Sequence, residues 1–187
     1  MAPPFPLILA SASPQRREIL ERLGYEFEVR VTGVEELIHG DPSEVVLANA
    51  LLKARAAAEP GSIVIGCDTD VVVEDHVIGK PEDEVRAREY LAQLSGRVHE
   101  VHSGLAVVGP GEEQVRTGVA VSRVRFRDLS QSKIDRYLAA GEWLGRAGGY
   151  AIQGRGSALV AGVEGDISNV IGLPVGLLLD LAPELDS

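Results

Sequence analysis

Apolar residues recur along this chain in two rhythms, one of period two and one near 3.6, and their succession predicts its elements. Leu7 to Ala10 is a short apolar run that reads as a strand. Ser13 then caps a helix with Pro14 at its first position and Ile19, Leu20 and Leu23 as its apolar stripe, ended by Gly24. Tyr25 to Thr32 alternates as a strand. Asp41-Pro42-Ser43-Glu44 places a cap, a first-position proline and an early acid ahead of an apolar stripe, which predicts a helix to about Glu59, before Pro60-Gly61. Ile63 to Ile65 reads as a buried strand ending at Asp68, Val71 to Ile78 as a hairpin around Glu74 to His76, and Glu82 to Leu94 as a helix. Val98 to Val108 and Val115 to Phe126 are two long strands joined by a turn at Gly109 to Gly111. Ser130 opens a helix with Ile134, Tyr137 and Leu138 on one side, closed by Gly141. Gly145 to Gly156 reads as loop, Ser157 to Val163 and Ile167 to Ile171 as a late hairpin, and Pro174 opens a last helix, Val175 to Leu181. Strands and helices alternate, so the expected class is α/β or mixed α+β.

Composition narrows the function. The chain has 187 residues, 45% hydrophobic and 25% charged, which is globular and large enough for a substantial core. The net charge of −10 argues against binding a nucleic-acid polymer, which needs a basic surface, but leaves room for a small anion in a locally positive pocket. Cys67 is the single cysteine, so no intrachain disulfide forms and a reducing compartment is favoured. No stretch reaches the ~20 apolar residues of a membrane span. The start, MAPPFPLILA, has no basic region and too short an apolar run for a signal peptide, so the expected location is the cytoplasm.

Several positions carry possible chemistry. Arg16 and Arg17 fall in the first turn of a helix, where a cation costs about 0.3–1 kcal/mol against the helix dipole. The placement makes sense if an anion sits at that helix end, held by N–H groups, by the Ser11 and Ser13 hydroxyls and by a guanidinium; otherwise Ser13 merely caps and the arginines are solvated. Asp68 and Asp70 follow a buried strand and share a face in extended backbone, with Thr69 on the other. Such oxygen-only groups suit Mg²⁺ or Mn²⁺, or they mark a strand end reaching solvent. Glu35 or Glu36 could add a carboxylate. Lys53 lies at the edge of an alanine-rich helix face and either snorkels to solvent or enters a cleft. Lys80, held extended by Pro81, is a point charge suited to phosphate or an ordinary loop lysine. Gln153, in Gly148-Gly149-Tyr150-Ala151-Ile152-Gln153-Gly154, could read a base edge with its amide. His39, His76, His99 and His102 have no zinc spacing, and no P-loop or G-x-G-x-x-G is present. Together the carboxylates, lysines and helix start suit metal-assisted hydrolysis of a polyphosphate.

The segments LILASASPQRREIL, VTGVEE, LLKARA, VIGCDTDVVV, GKPEDEVRA, LSGRVHEVHSG, AGGYAIQGRG and GDISNVIGLP occur in the order found in the Maf family of nucleoside triphosphate pyrophosphatases, which the chain resembles from end to end. The resemblance implies one domain over residues 1–187, with a long twisted mixed sheet, flanking helices and a central cleft, similar to inosine triphosphatase-like folds. It implies hydrolysis of a nucleoside triphosphate to the monophosphate and pyrophosphate, with a divalent metal, by a cytoplasmic homodimer. Asp68 matches the family's proton acceptor, Glu36 its metal-associated glutamate (with Asp68 the expected metal set), Lys53 and Lys80 its phosphate-facing lysines and Ser11 its first-loop serine. Thr69 and Gln153 match the branch acting on dTTP and UTP. Arg16 matches the second arginine of the family's Ser-Pro-Arg-Arg, whereas Gln15 stands where that branch keeps the first. The competing expectations are a nucleotide-binding regulator of septum formation and an inosine/xanthosine triphosphatase.

Overall fold

Seven strands and six helices follow one another along the residues that the computed structural model describes, 5–111 and 114–186. The first four residues of the stretch read for a leader lie outside them. In chain order the elements are β1 (Leu7–Leu9), α1 (Pro14–Arg22), β2 (Glu28–Val29), α2 (Pro42–Ala56), β3 (Ile63–Val73), β4 (His76–Ile78), α3 (Glu84–Leu94), β5 (Val98–Val108), β6 (Val115–Phe126), α4 (Gln131–Leu138), β7 (Val160–Glu164), α5 (Ile167–Ile171) and α6 (Val175–Leu181). The strands form one sheet in the order β2-β1-β3-β5-β6-β7, with β4 paired to β3. It is mixed: β1 is parallel to β2 and β3, whereas β3–β4 and β6–β7 are antiparallel. No helix among the described residues is long and apolar enough to cross a membrane.

The chain divides into two compact units. The first runs up to Thr69, then takes in Ser103–Ala120 and the chain from Gly172 onward. Period-two alternation sorts its strands onto two faces. Leu7, Leu9, Ile63, Ile65, Cys67, Leu105 and Val107 pack with Leu20 of α1 and Leu178 of α6. Ile8, Val64, Ala106 and Val108 pack with Ala50, Ala54 and Ala57, on or just beyond α2. On the second face the buried helix side chains of this cluster are alanines. Asp41 secures the start of α2 by accepting hydrogen bonds from the Ser43 and Glu44 amides, an arrangement worth about 1 kcal/mol.

The α2 face is closed more tightly than side chains alone would require. A Cβ on Gly66 of β3 would lie 2.1 Å from the Ala50 carbonyl oxygen, and one on Gly104 of β5 would lie 2.2 Å from that of Val46. Two glycines on neighbouring strands thus let the helix backbone rest directly on the sheet.

The second unit comprises Asp70–His102 and Val121–Ile171. Its core joins Ala87, Leu91 and Leu94 of α3, Ile134, Tyr137 and Leu138 of α4, and Val101, Val124 and Phe126 of the strands. His99 lies inside it, edge-on to Phe126 and Tyr150, with Nε2 2.8 Å from the Tyr150 hydroxyl. Burial lowers its pKa to about 4, so it is a neutral core residue. The Gly145–Gly156 stretch is loop; it holds one 3₁₀ turn, Ala147–Gly149, and the start of a second, Gly154–Ala158, which runs on through Ser157, the expected start of a strand. The second turn is anchored by Glu142, whose carboxylate accepts from the Arg155 and Gly156 amides.

Four other expectations need correction. The strand expected at Tyr25 to Thr32 shrinks to Glu28–Val29, because its one partner, β1, is itself only three residues long. β3 does not end at Asp68 but runs to Val73, since neighbouring side chains satisfy its polar residues. Ile167–Ile171 is a helix and not half of a hairpin: Asp166 accepts hydrogen bonds from the Ser168 amide and hydroxyl, which turns the backbone. Leu23 is exposed, and Arg16 takes the buried side of α1 with Leu20.

Gly66→Ala is expected to lower stability by about 2–4 kcal/mol, because backbone and not a flexible side chain blocks the new methyl. Gly118→Ala meets only the Leu177 side chain and is expected to cost less. Urea denaturation of both variants checks this; equal losses would show that helix–strand contact is not the tight point.

Candidate functional site

Two clusters of polar side chains gather where β3 leaves the apolar interior of the first unit, one on each face of the strand. On the α2 side stands Asp68, in phase with Val64 and Gly66. Its Oδ1 accepts a hydrogen bond from Lys53 Nζ at 2.8 Å and its Oδ2 one from Asn49 Nδ2 at 2.9 Å. Asn49 and Lys53 are one helical turn apart and so present their side chains to the same carboxylate. Lys53 Nζ also lies 3.1 Å from Glu36 Oε1. The ammonium therefore ties together two carboxylates from segments far apart in sequence. Lys53 is 9% exposed, so the snorkelling reading is overturned: the close seating of α2 turns this lysine inward.

On the other face stands Thr69, in phase with Cys67. Arg16 reaches it from α1: Nη2 donates to Thr69 Oγ1 at 3.1 Å, Nη1 to Ser11 Oγ at 2.9 Å and Nε to the Gly172 carbonyl at 2.9 Å. The Thr69 hydroxyl also meets Ser103 Oγ at 2.8 Å. Arg16 is 8% exposed, yet all these partners are neutral oxygens, and among the described residues no carboxylate lies within ion-pair distance of it. A buried guanidinium without a counter-charge is costly in isolation and suits an incoming anion.

The neighbouring helix start points the same way. Ser13, at the N-cap of α1, makes no side-chain cap, and its hydroxyl donates to Gln15 Oε1 at 2.9 Å. No acid stands in the first turn. Arg17 is exposed. Cys67 is fully buried, and burial pushes its thiol above the ordinary value, so it is an inert wall rather than a nucleophile.

The structure thus brings together Glu36, Lys53 and Asp68, and separately Ser11, Arg16 and Thr69, with Gln15 beside Ser13. Lys80 and Gln153 belong to the second unit. Lys80 is exposed and lines an open groove of about 380 Å³ with Glu82, Asp83, Arg86, Glu89 and Tyr90. Gln153 is half-buried at the cap of the second 3₁₀ turn. Asp70, half-buried, begins this unit. Sequence reasoning missed Asn49, Ser103 and the Gly172 carbonyl. Asn49 had a signal, as an amide on the sheet side of α2 four residues before Lys53; a backbone carbonyl has none.

A metal ion fits the donor set in a limited sense. No group of three or more His, Cys, Asp or Glu side chains able to hold one occurs among the described residues. Glu36 and Asp68 nevertheless share one ammonium, and Mg²⁺ is commonly held by one or two carboxylates with the rest of its shell from water and substrate phosphate.

The family model described as Maf-like protein matches residues 6–185. A dTTP/UTP pyrophosphatase of Dictyoglomus thermophilum is 44% identical over 184 residues, covering 96% of this chain and 95% of that protein. One of Moorella thermoacetica is 48% identical over 178 residues, covering 90% and 89%. Among solved structures the chain is similar to the Ham1 protein of Staphylococcus aureus, at a TM-score of 0.47 and 17% identity over 65% of this chain and 72% of that one.

If Arg16 awaits an anion, inorganic phosphate at about 10 mM is expected to raise the melting temperature of the wild type by a few degrees through mass action. Arg16→Met should lose most of that rise in differential scanning fluorimetry. An equal rise in the variant would place the anion elsewhere.

Proposed function

The chain belongs to the Maf family, and on that premise we propose that it is a nucleoside triphosphate pyrophosphatase acting on dTTP and UTP and on modified pyrimidine nucleotides, in a house-cleaning role. The observation that carries the reading is the strand end itself, with a carboxylate clamped between Lys53 and Asn49 on one face and a buried arginine lacking a counter-charge on the other. The names of the relatives favour this reading over a septum regulator and over an inosine/xanthosine triphosphatase.

In this proposal Asp68 orients a water and takes its proton as the oxygen attacks the α-phosphorus. The bond from that phosphorus to the bridging oxygen breaks in line, and pyrophosphate leaves with the bonding pair. Lys53 holds Asp68 and Glu36 in register and faces the charge that builds on the phosphates. Arg16 and Ser11 bind phosphate oxygens at the start of α1, where backbone amides add to the positive field. The family resemblance alone assigns Lys80 to the phosphates and Gln153, with Thr69, to reading the base, and Gln15 offers an amide where a cation is expected in the pyrimidine branch. Glu36 and Asp68 would hold Mg²⁺ or Mn²⁺, which when bound neutralises phosphate charge and makes water more acidic. A single functional domain, a cytoplasmic location and a homodimer complete the proposal and rest on the family resemblance.

The test is pyrophosphate release from a panel of ribo- and deoxynucleoside triphosphates with Mg²⁺ or Mn²⁺. Wild-type protein is expected to release it fastest from dTTP and UTP, and Asp68→Asn to lower turnover by about 10³-fold without loss of fold. Tight nucleotide binding with no release from any substrate would replace the enzyme by a regulator. On the same panel Gln15→Arg is expected to raise the dTTP-to-purine ratio of kcat/KM about tenfold, equivalent to roughly 1.4 kcal/mol. An unchanged ratio would remove the first loop from base selection.

A further inference from the structure

We infer that Asn49 is a positioning residue of this site, fixing the plane of the Asp68 carboxylate and at the same time pinning the segment that carries Glu36. The inference rests on the proposed role of Asp68 and goes beyond it. Asn49 occupies a place where α2 has no packing use for an amide. Its neighbours on the sheet side of the helix are Val46, Ala50, Ala54 and, just beyond the helix, Ala57, all buried, and Asn49 itself is 2% exposed. Burying an amide there costs free energy unless its hydrogen bonds are made.

They are made, and all go to the site. Asn49 Nδ2 donates to Asp68 Oδ2 at 2.9 Å and to the Leu37 carbonyl at 3.0 Å, while Oδ1 accepts from the Leu37 amide at 2.7 Å. The pair of bonds to Leu37 works like one rung of a β-ladder. It anchors a stretch whose own side chains give it little hold, since Leu37 is 50% exposed and Ile38 79%. Glu36 adjoins Leu37, and its carboxylate reaches Lys53 Nζ.

One amide therefore links the two acids of the site by a route separate from Lys53. The division between the two links is chemically distinct. Lys53 supplies charge and one hydrogen bond to Oδ1. Asn49 supplies direction: with Oδ2 also held, the carboxylate cannot rotate about its Cβ–Cγ bond without breaking a bond to α2. Each carboxylate oxygen keeps lone-pair capacity for a water or a cation. A side chain that sets the angle of a general base, without touching substrate, influences turnover far more than binding.

Two substitutions test this, each measured for kcat, KM and thermal stability alongside Asp68→Asn. Asn49→Leu removes all three hydrogen bonds at similar volume. Asn49→Ala removes the same bonds by truncation and adds neither charge nor a larger apolar side chain, so the question remains answerable if the leucine variant fails to fold. Both are expected to lower kcat about 10- to 100-fold, with KM for UTP within about threefold. Affinity for an α,β-imido analogue of UTP, read by calorimetry on folded protein, should likewise stay within about threefold. A kcat within twofold of wild type in either folded variant overturns the inference. So does a loss of analogue affinity as large as the loss of kcat, which would make Asn49 part of the binding surface or of the fold alone. Full activity in Asp68→Asn would instead remove Asp68 from its role as base, whatever the Asn49 variants do.

Discussion

The contact of the α2 backbone with two strand glycines is the constraint on which the carboxylate side of the site depends. Gly66 and Gly104 leave no Cβ between helix and sheet, and Ala50 and Ala54 keep the helix face low. At that separation side chains one turn apart on α2 meet Asp68, two residues beyond Gly66 on the same face of β3. A methyl group at either glycine would lift the helix by its own thickness. Hydrogen bonds of 2.8 and 2.9 Å do not survive a displacement of that size.

The same strand explains why the site has two chemically different halves. Successive residues of β3 face opposite ways, so Asp68 and Thr69 are sent to different helices although they are adjacent in the chain. One half has its charges paired, with the single Lys53 ammonium between the carboxylates of Asp68 and Glu36. The other holds Arg16 among neutral oxygens. Ion pairs taken from water gain little net stability, because desolvation offsets the attraction, and an unpaired buried cation gains less still. Neither arrangement is accounted for as a support for the fold. Both fit the proposed binding of a polyanion.

Much of the architecture was legible because it follows local rules. Asp41-Pro42-Ser43-Glu44 caps α2 as its residue types require, and the two long strands 98–108 and 115–126 follow from sustained alternation between turn residues. One error fell where a distant partner decides: the short span of β2 is set by the length of β1. Another fell on a local cue, the Asp166 carboxylate that turns the backbone at Ile167, because apolar, β-branched residues there favour a strand. The site residues drawn from motif resemblance include both members of the Lys53–Asp68 pair. Asn49 escaped notice because a buried amide on a helix face has no signature until its partners are known.

What the sequence by itself determined about this protein is its element order, its acidic character and the set of residue types able to handle a polyphosphate, since these depend on periodicity, composition and motif order. Only the tertiary structure decided that Lys53 turns inward, that Arg16 is buried without an acid, and that Asn49 joins Asp68 to the Glu36 segment. Those facts depend on how closely a helix lies on a sheet, and on contacts between residues as far apart as Arg16 and Gly172, which no local pattern encodes.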